Sequence, residues 1–318
     1  MGWHNPPISW SEHEKLLSDA SRPGSTVPAG GDGGDSPAWS AHRHPYQAPV
    51  VGEAEENRIP YAELHLHSSF SFLDGVSAPE KLVERAAVLG LNALGLSDHN
   101  GFYGAVRFAE AAAAHQMPTV LGAEITLGTA SSRSEVSDPE GTHLLVLARG
   151  VEGYHRLSSA LTEAHLATED KGTMKADLGS LADHSQGSWV VLTGCRKGAV
   201  RRPLAEHRMP TTREQQQSEQ ALLELVDYFG SDAVVVELFD HQHPLDSAHN
   251  EFLATLAARH HLPTVVTGLV HYATAAEADM AQAMAAIRAR TSMDALHSWL
   301  PSSPAGYLRS GREPFSPL

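Results

Sequence analysis

From Tyr61 onward, short apolar runs alternate with longer stretches in which apolar residues return at helical spacing. The pattern predicts strands at Tyr61–His65, Ala93–Ser97, Thr119–Ile125, His143–Ala148, Trp189–Thr193, Val234–Leu238 and Thr264–Thr267. Helices are predicted at Pro79–Leu89, Tyr103–His115, Glu152–His165, Arg213–Phe229, Ser247–His260 and Ala275–Arg290, the first with proline in its opening turn. Several strands are continuous apolar runs such as Val190-Val-Leu, which suit a parallel sheet buried on both faces. Repeated strand-then-helix units without a Gly-x-Gly-x-x-Gly loop favour a TIM-like α/β barrel of about seven strands over a dinucleotide-binding fold. In such a barrel the strand C-terminal ends share one rim.

The flanks read differently. Residues 20–57 are rich in Gly, Pro, Ser and Asp and cannot bury enough apolar surface to offset their ordering entropy. They are expected to be a disordered linker, preceded by a short helix near Ser11–Ser18, with order beginning near Ile59. The expected organisation is an amino-terminal extension over 1–58, a barrel over 59–292, and a linker over 293–318 leading toward an absent domain.

Composition narrows the function. With 318 residues and 42% hydrophobic content the chain can build one large barrel. A net charge of −15 argues against non-specific nucleic-acid binding by this chain alone but suits a rim that concentrates divalent cations. A single cysteine excludes an internal disulfide framework and fits a reducing cytoplasm. No signal peptide or membrane-spanning apolar run is visible, so the expectation is a soluble cytoplasmic protein without a membrane partner.

Eight residues carry candidate metal chemistry, almost all at predicted strand ends: His65, His67, Asp74, His99, Glu124, His143, Cys195 and His271. His65 and His67 are two apart in a strand, so both imidazoles face one side. Asp98 and Glu124 are weaker signals, since Asp98 could cap the following helix and Glu124 could be a rim carboxylate. His143 opens the apolar run Leu144-Leu-Val-Leu, where a histidine is more often structural, and a free cysteine is usually a small buried hydrophobe. Cys195-Arg-Lys-Gly-Ala-Val-Arg201 also matches the Cys-x5-Arg phosphate loop of cysteine phosphatases, a competing reading that leaves the His pair unexplained. Serine-triad catalysis lacks its nucleophile elbow.

At these residues, over roughly 60–290, the sequence resembles the PHP (polymerase and histidinol phosphatase) superfamily. Tyr61-Ala-Glu-Leu-His-Leu-His-Ser-Ser-Phe-Ser-Phe-Leu-Asp-Gly, the opening Gly2-Trp-His-Asn-Pro-Pro, Asp98-His-Asn-Gly-Phe-Tyr-Gly and Tyr307-Leu-Arg-Ser-Gly resemble the amino-terminal part of the error-prone branch of bacterial C-family DNA polymerases. The resemblance implies a distorted seven-stranded PHP barrel holding up to three divalent ions (Zn, Mn or Mg). It implies one ion at His65, His67 and Glu124, with Glu124 bridging to a second at His143 and Cys195, and a third at Asp74, His99 and His271. His67 and Glu124 are the implied catalytic residues. The family's last motif reads Asp-x-His, whereas Leu269 precedes Val270 and His271 here, implying fewer ions or an inactive site. The family's polymerase aspartates lie beyond this segment, so DNA, with replication or repair proteins, is implied as a partner only through the polymerase domains of a full-length protein. The functions in competition are a metal-dependent phosphoesterase or 3′–5′ exonuclease, a structural module of a polymerase, and a free-standing histidinol-phosphate phosphatase.

Overall fold

The computed structural model describes residues 46–50, 59–130, 141–168, 174–204, 208–296 and 304–312. The expected helix near 11–18 and nearly all of the expected linker at 20–57 lie outside these residues. The strands are β1 Ala62–Glu63, β2 Ala93–Leu96, β3 Thr119–Ala130, β4 Thr142–Ala148, β5 Met174–Ala176, β6 Trp189–Leu192, β7 Val234–Leu238 and β8 Thr264–Val266. The helices are α1 Pro79–Leu89, α2 Ala105–Ala114, α3 Gly150–Leu166, α4 Leu178–Ser185, α5 Thr212–Phe229, α6 Asp246–Arg259 and α7 Ala278–Ala289.

Seven strands follow the order β1-β2-β3-β4-β6-β7-β8, and β5 pairs with the far end of β3. A parallel bridge between Leu66 and Val270 joins the two ends of this path. There the His67 amide donates to Val270 O at 2.8 Å and the Val270 amide donates to His65 O at 2.9 Å. The result is the expected distorted seven-stranded α/β barrel. Its sheet, however, is mixed rather than parallel: β4 runs antiparallel to both β3 and β6, while the other neighbours along the path are parallel. β3 continues to Ala130 rather than stopping at Ile125, and its last three residues pair with β5 instead of β4. The apolar run of β4 records burial on both faces and carries no information about direction.

Alternation along β4 divides its side chains between two clusters. Leu144 and Val146 join Ile125, Leu157, Trp189, Val191, Leu222, Val234 and Leu253 under the helices, whereas Leu145, Leu147 and Leu192 form a separate cluster. Trp189 Nε1 donates to Gly153 O at 2.9 Å, tying the start of β6 to α3. A side chain at Gly153 would strike the Ser188 carbonyl, so this close approach requires glycine. α5 opens with a reciprocal capping box in which Thr211 accepts from the Glu214 amide and the Glu214 carboxylate accepts from the Thr211 amide.

The carboxyl-terminal stretch is more than the linker expected after residue 292. Tyr307 forms a parallel bridge with Tyr272, and the Leu308 amide donates to Tyr272 O at 3.0 Å. The His271 amide donates to Gly306 O at 2.8 Å, so residues 304–309 brace one end of the barrel rim. Among the described residues, no helix is long and apolar enough to cross a membrane.

Candidate metal centre

The rim is organised around Glu124 of β3, whose side chain is almost completely buried. Its Oε1 lies 3.4 Å from His65 Nε2, and its Oε2 lies 3.5 Å from His67 Nε2, 3.3 Å from His99 Nδ1 and 3.0 Å from His143 Nδ1. His65 and His67 both turn toward this carboxylate, as residues two apart in an extended segment should. His99 sits just past the end of β2 and forms a parallel bridge with Glu124. His143 arrives by a different route. Because β4 is reversed, its first residues lie where the parallel strands end, and Thr126 of β3 pairs with His143.

Asp74 forms the second focus. Its Oδ2 lies 3.1 Å from His99 Nε2 and 3.3 Å from His271 Nε2, and its Oδ1 lies 3.2 Å from Arg288 Nη1. The loop carrying Asp74 turns sharply at Gly75, where a Cβ would collide with the Ser68 carbonyl. Cys195 follows β6 and places its Sγ 3.4 Å from His143 Nδ1. The structure therefore brings all eight candidate residues to one rim.

Three groups within the rim each present one donor atom per residue, all within 4.8 Å of one another: His65, His67 and Glu124; His67, Asp74 and His99; and His99, Glu124 and His143. Neutral imidazole and carboxylate donors in that number suit a divalent ion. The orphaned atoms point the same way. His65 Nε2, Glu124 Oε1 and His143 Nε2 are buried without a hydrogen-bond partner, which a dry interior tolerates poorly. The residues present fit a metal ion.

The surrounding hydrogen bonds aim the imidazoles. His65 Nδ1 lies 2.7 Å from Glu237 Oε1, and a carboxylate at that distance can only accept, so Nε2 faces Glu124. Ser71 Oγ donates to Asp98 Oδ1 at 2.7 Å. Its single proton thus committed, Ser71 accepts from His67 Nδ1 at 3.3 Å, leaving His67 Nε2 to face Glu124 Oε2. Asp98 therefore does not cap the following helix, as its position suggested; it also accepts from the Ser68 amide and hydroxyl and so fixes the ligand loop. Glu63, fully buried, accepts from the His65 amide at 2.9 Å and from the Gly268 amide at 2.7 Å. Sequence reasoning missed Glu237, Glu63 and Ser71 as parts of the site, and weighed Asp98 only as a weak signal or a helix cap. The signal for Glu237 was present as a lone charge inside the apolar strand Val234-Val-Val-Glu-Leu.

Charge at the rim is strongly coupled. Burial opposes a charge on His65, but Glu237 and Glu124 overcome it and raise its pKa to about 10. Burial and neighbouring His99 push His67 well down. Burial would raise Glu124 and Asp74, yet His143 and His65 hold Glu124 well below the usual carboxylate range, and His271 and His99 do the same for Asp74. Burial brings the Lys197 ammonium down to about 8 against the opposing pull of Asp74 and Glu124.

The phosphatase-loop reading of Cys195 and Arg201 fails. Burial and the Glu124 carboxylate push the Cys195 thiol well up, the reverse of a reactive thiolate. Arg201 is turned into the protein, where Nη2 meets Asp246 Oδ1 at 2.9 Å, Nη1 meets Asn250 Oδ1 at 2.9 Å, and the guanidinium lies 4.0 Å from the Phe239 ring centre.

Comparison with known proteins follows the same line. Residues 63–241 match the model of the PHP domain, more than half of the chain. The chain belongs to the PHP domain family. Error-prone DNA polymerases from Nocardia farcinica, Cutibacterium acnes and Mycobacterium tuberculosis are 44%, 48% and 49% identical to it across 98% of its length. The chain covers 30%, 27% and 28% of those proteins, so it spans less than a third of the relatives it matches. Two solved structures share 18% identity with this PHP domain. A protein described as a metal-dependent phosphoesterase from Bifidobacterium adolescentis has a TM-score of 0.44, covering 69% of this chain and 89% of its own. An amidohydrolase from Chromobacterium violaceum has a TM-score of 0.46, covering 66% and 87%.

Leu269, beyond the matched residues, is 5% exposed and clusters with Cys195 and Phe239. Its backbone is left-handed, with φ of 45°, a conformation that favours Gly, Asn or Asp over leucine. An apolar side chain therefore occupies the position where the resemblance implies an aspartate ligand.

Proposed function

We propose that this chain is the PHP module of an error-prone DNA polymerase-type protein, and that its rim binds divalent ions at up to three positions and hydrolyses phosphoesters weakly. The observation that carries this reading is the meeting of four imidazoles on the single buried carboxylate of Glu124. His65, His67 and Glu124 would hold one ion, Glu124 with His143 and Cys195 a second, and Asp74, His99 and His271 a third. Bound ions supply an activated water and neutralise phosphate oxygens. The chain's own residues orient the site: Glu237 and Ser71 fix the His65 and His67 rings, and Asp98 fixes the loop between His67 and Asp74. Arg288 beside Asp74 adds a cation that favours an anionic substrate.

The favoured substrate is a 3′ DNA end or pyrophosphate presented by the polymerase domains of the full-length protein, with residues 59–292 and the docked strip 304–312 forming the module. Damage-induced synthesis, replication or repair partners and a cytoplasmic location belong to that same proposal. A structural role for the module, with metal but little turnover, is supported by Leu269 lying apolar against Cys195. Metal analysis of the purified chain, with an assay on 3′-recessed DNA, tests the reading. Bound Zn or Mn and slow hydrolysis lost in His67→Ala are expected. Failure to retain either ion, or hydrolysis indifferent to His67→Ala, would overturn it.

A further inference from the structure

Two large aromatic side chains lie in solvent on the loops that carry metal-type ligands, and the hydrolytic reading gives neither a task. Phe72 is 83% exposed and Tyr103 is 56% exposed. Phe72 sits two residues before Asp74, and Tyr103 sits four residues after His99. A single exposed ring is ordinary, but two on interlocked ligand loops are not scattered at random.

The interlocking is direct. Ser71 Oγ donates to Asp98 Oδ1 at 2.7 Å and accepts from the His99 amide at 3.1 Å. Phe70 packs against Gly104, where a Cβ would lie 3.2 Å from its ring. Phe72 is held outward by its turn. The Asp74 and Gly75 amides both donate to Ser71 O at 2.9 Å, which puts Phe72 at the first corner and Leu73, with φ of 61°, at the second. Left-handed backbone costs energy at leucine, and glycine is the usual residue at such a corner. Ser71 and Asp74 are turned into the site by Asp98, His99 and His271, which leaves Phe72 at the tip. The Tyr103 ring rests against the buried backbone of Gly101, where a Cβ would collide with it, and the rest of the ring is open. Phe102 turns the other way and packs on Tyr154, with ring centres 4.8 Å apart.

We propose that Phe72 and Tyr103 form a stacking platform for the terminal nucleobase of a 3′ DNA end, holding it while the adjoining phosphoester enters the group of Asp74, His99 and His271. The platform deepens the hydrolytic reading and takes its substrate from it. Charge favours a nucleotide over an apolar protein surface as the occupant. Arg288 Nη1 lies 3.2 Å from Asp74 Oδ1, and the Arg107 guanidinium lies 5.7 Å from the Phe70 ring centre, so cations for backbone phosphates stand beside the same loop. The net charge of −15 nevertheless gives the chain little overall attraction for DNA, which leaves stacking to supply most of the affinity. Every base has a π face, so such a platform accepts an end of any sequence.

The test uses the full chain as wild type, Phe72→Ala, Tyr103→Ala and Phe72→Trp. The probes are two fluorescein-labelled oligothymidylates, one intact and one lacking its 3′-terminal base, each with a phosphorothioate at the last linkage to resist hydrolysis. Anisotropy titration reads affinity. Wild type should bind the intact probe about 5–150-fold more tightly, the range that one stacked base gives. Each alanine variant should lose most of that preference and Phe72→Trp should keep it, whereas a merely perturbed fold would weaken both probes alike. On 3′-recessed DNA the alanine variants should raise KM more than they lower kcat. Equal affinity of wild type for the two probes, or binding of neither, would overturn the inference and leave the rings as a docking patch for a protein. Folded alanine variants that keep the preference would overturn it too. If the preference appears and the variants lose it while no DNA end is hydrolysed, the platform stands and the hydrolytic reading falls.

Discussion

His143 Nδ1 lies 3.0 Å from Glu124 Oε2, although His143 lies at the start of its strand while His65, His67 and His99 follow theirs. The reversal of β4 makes this contact: an antiparallel strand brings its first residues to the edge where parallel neighbours bring their last. The centre of the site thus depends on a change of strand direction at β4.

Glu124→Gln should have the largest single effect on the rim. The amide cannot serve four imidazoles as an anion, and a donor shared by two of the three groups becomes weak. Zn2+ or Mn2+ content should drop by more than half and hydrolysis of 3′-recessed DNA should vanish, with folding retained by circular dichroism. Unchanged metal content in the variant would remove Glu124 from the ligand set.

Glu237→Gln should weaken metal binding without removing a ligand. Glu237 touches His65 Nδ1 and also accepts from Thr267 Oγ1, so the amide loses the charge that orients and strengthens the imidazole. Chelator competition should show affinity lower by about 10–100-fold. Equal affinity in the two proteins would show that Glu237 serves packing alone.

Leu269→Asp should raise both metal content and hydrolysis. Aspartate tolerates the left-handed backbone at this position better than leucine and adds an anionic donor beside Cys195. The loop has little room to adjust, since Gly268 is clamped by Glu63, so the gain should be a few-fold rather than complete. Metal analysis and the DNA-end assay on purified variant and wild type decide it. No gain in either would show that the aspartate position is not restored by side-chain identity.

Metal should stabilise the fold. An ion that binds only the native state at about 100 times its Kd adds about 2.7 kcal/mol. Thermal unfolding in saturating Zn2+ should therefore lie several degrees above unfolding in EDTA, and His67→Ala should narrow the gap. An identical midpoint with and without EDTA would count against a resident ion.

Acid should expose the contribution of Asp246. Burial opposes its charge, but Arg196 and Arg201 bring its pKa from 3.8 to about 2. A carboxyl depressed in the folded state stabilises above its unfolded pKa and loses that effect as pH falls through the folded value. The shift corresponds to roughly 2 kcal/mol at neutral pH. Urea unfolding should place Asp246→Asn below wild type by that order at pH 6, with the difference closing between about pH 4 and pH 2. A constant difference across that window would assign the loss to packing instead.

The local sequence marked the elements and most of the donors. Pro79, the apolar runs at Val190 and Val234, and the helical spacing of 213–229 place their elements within a few residues of those observed. Alternation alone told that His65 and His67 would point together, and Glu124, Cys195 and His271 were legible as polar residues after apolar strands. These are short-range facts, carried by backbone periodicity and by the cost of burying polar groups.

Other features needed the tertiary structure. β4 reads as apolar in either direction, so the role of His143 was ambiguous until the reversal placed it. Asp98 looked like a helix cap and instead fixes the Ser68–Ser71 loop from 27 to 30 residues away. Glu237 lies 172 positions from His65 and meets it only because barrel closure brings β1 and β7 to one interior. The sequence by itself determined which segments form the strands and which side chains could bind a cation. Ring closure and the direction of β4 decided which of them meet, because contacts between distant residues are set by strand pairing, which local periodicity does not encode.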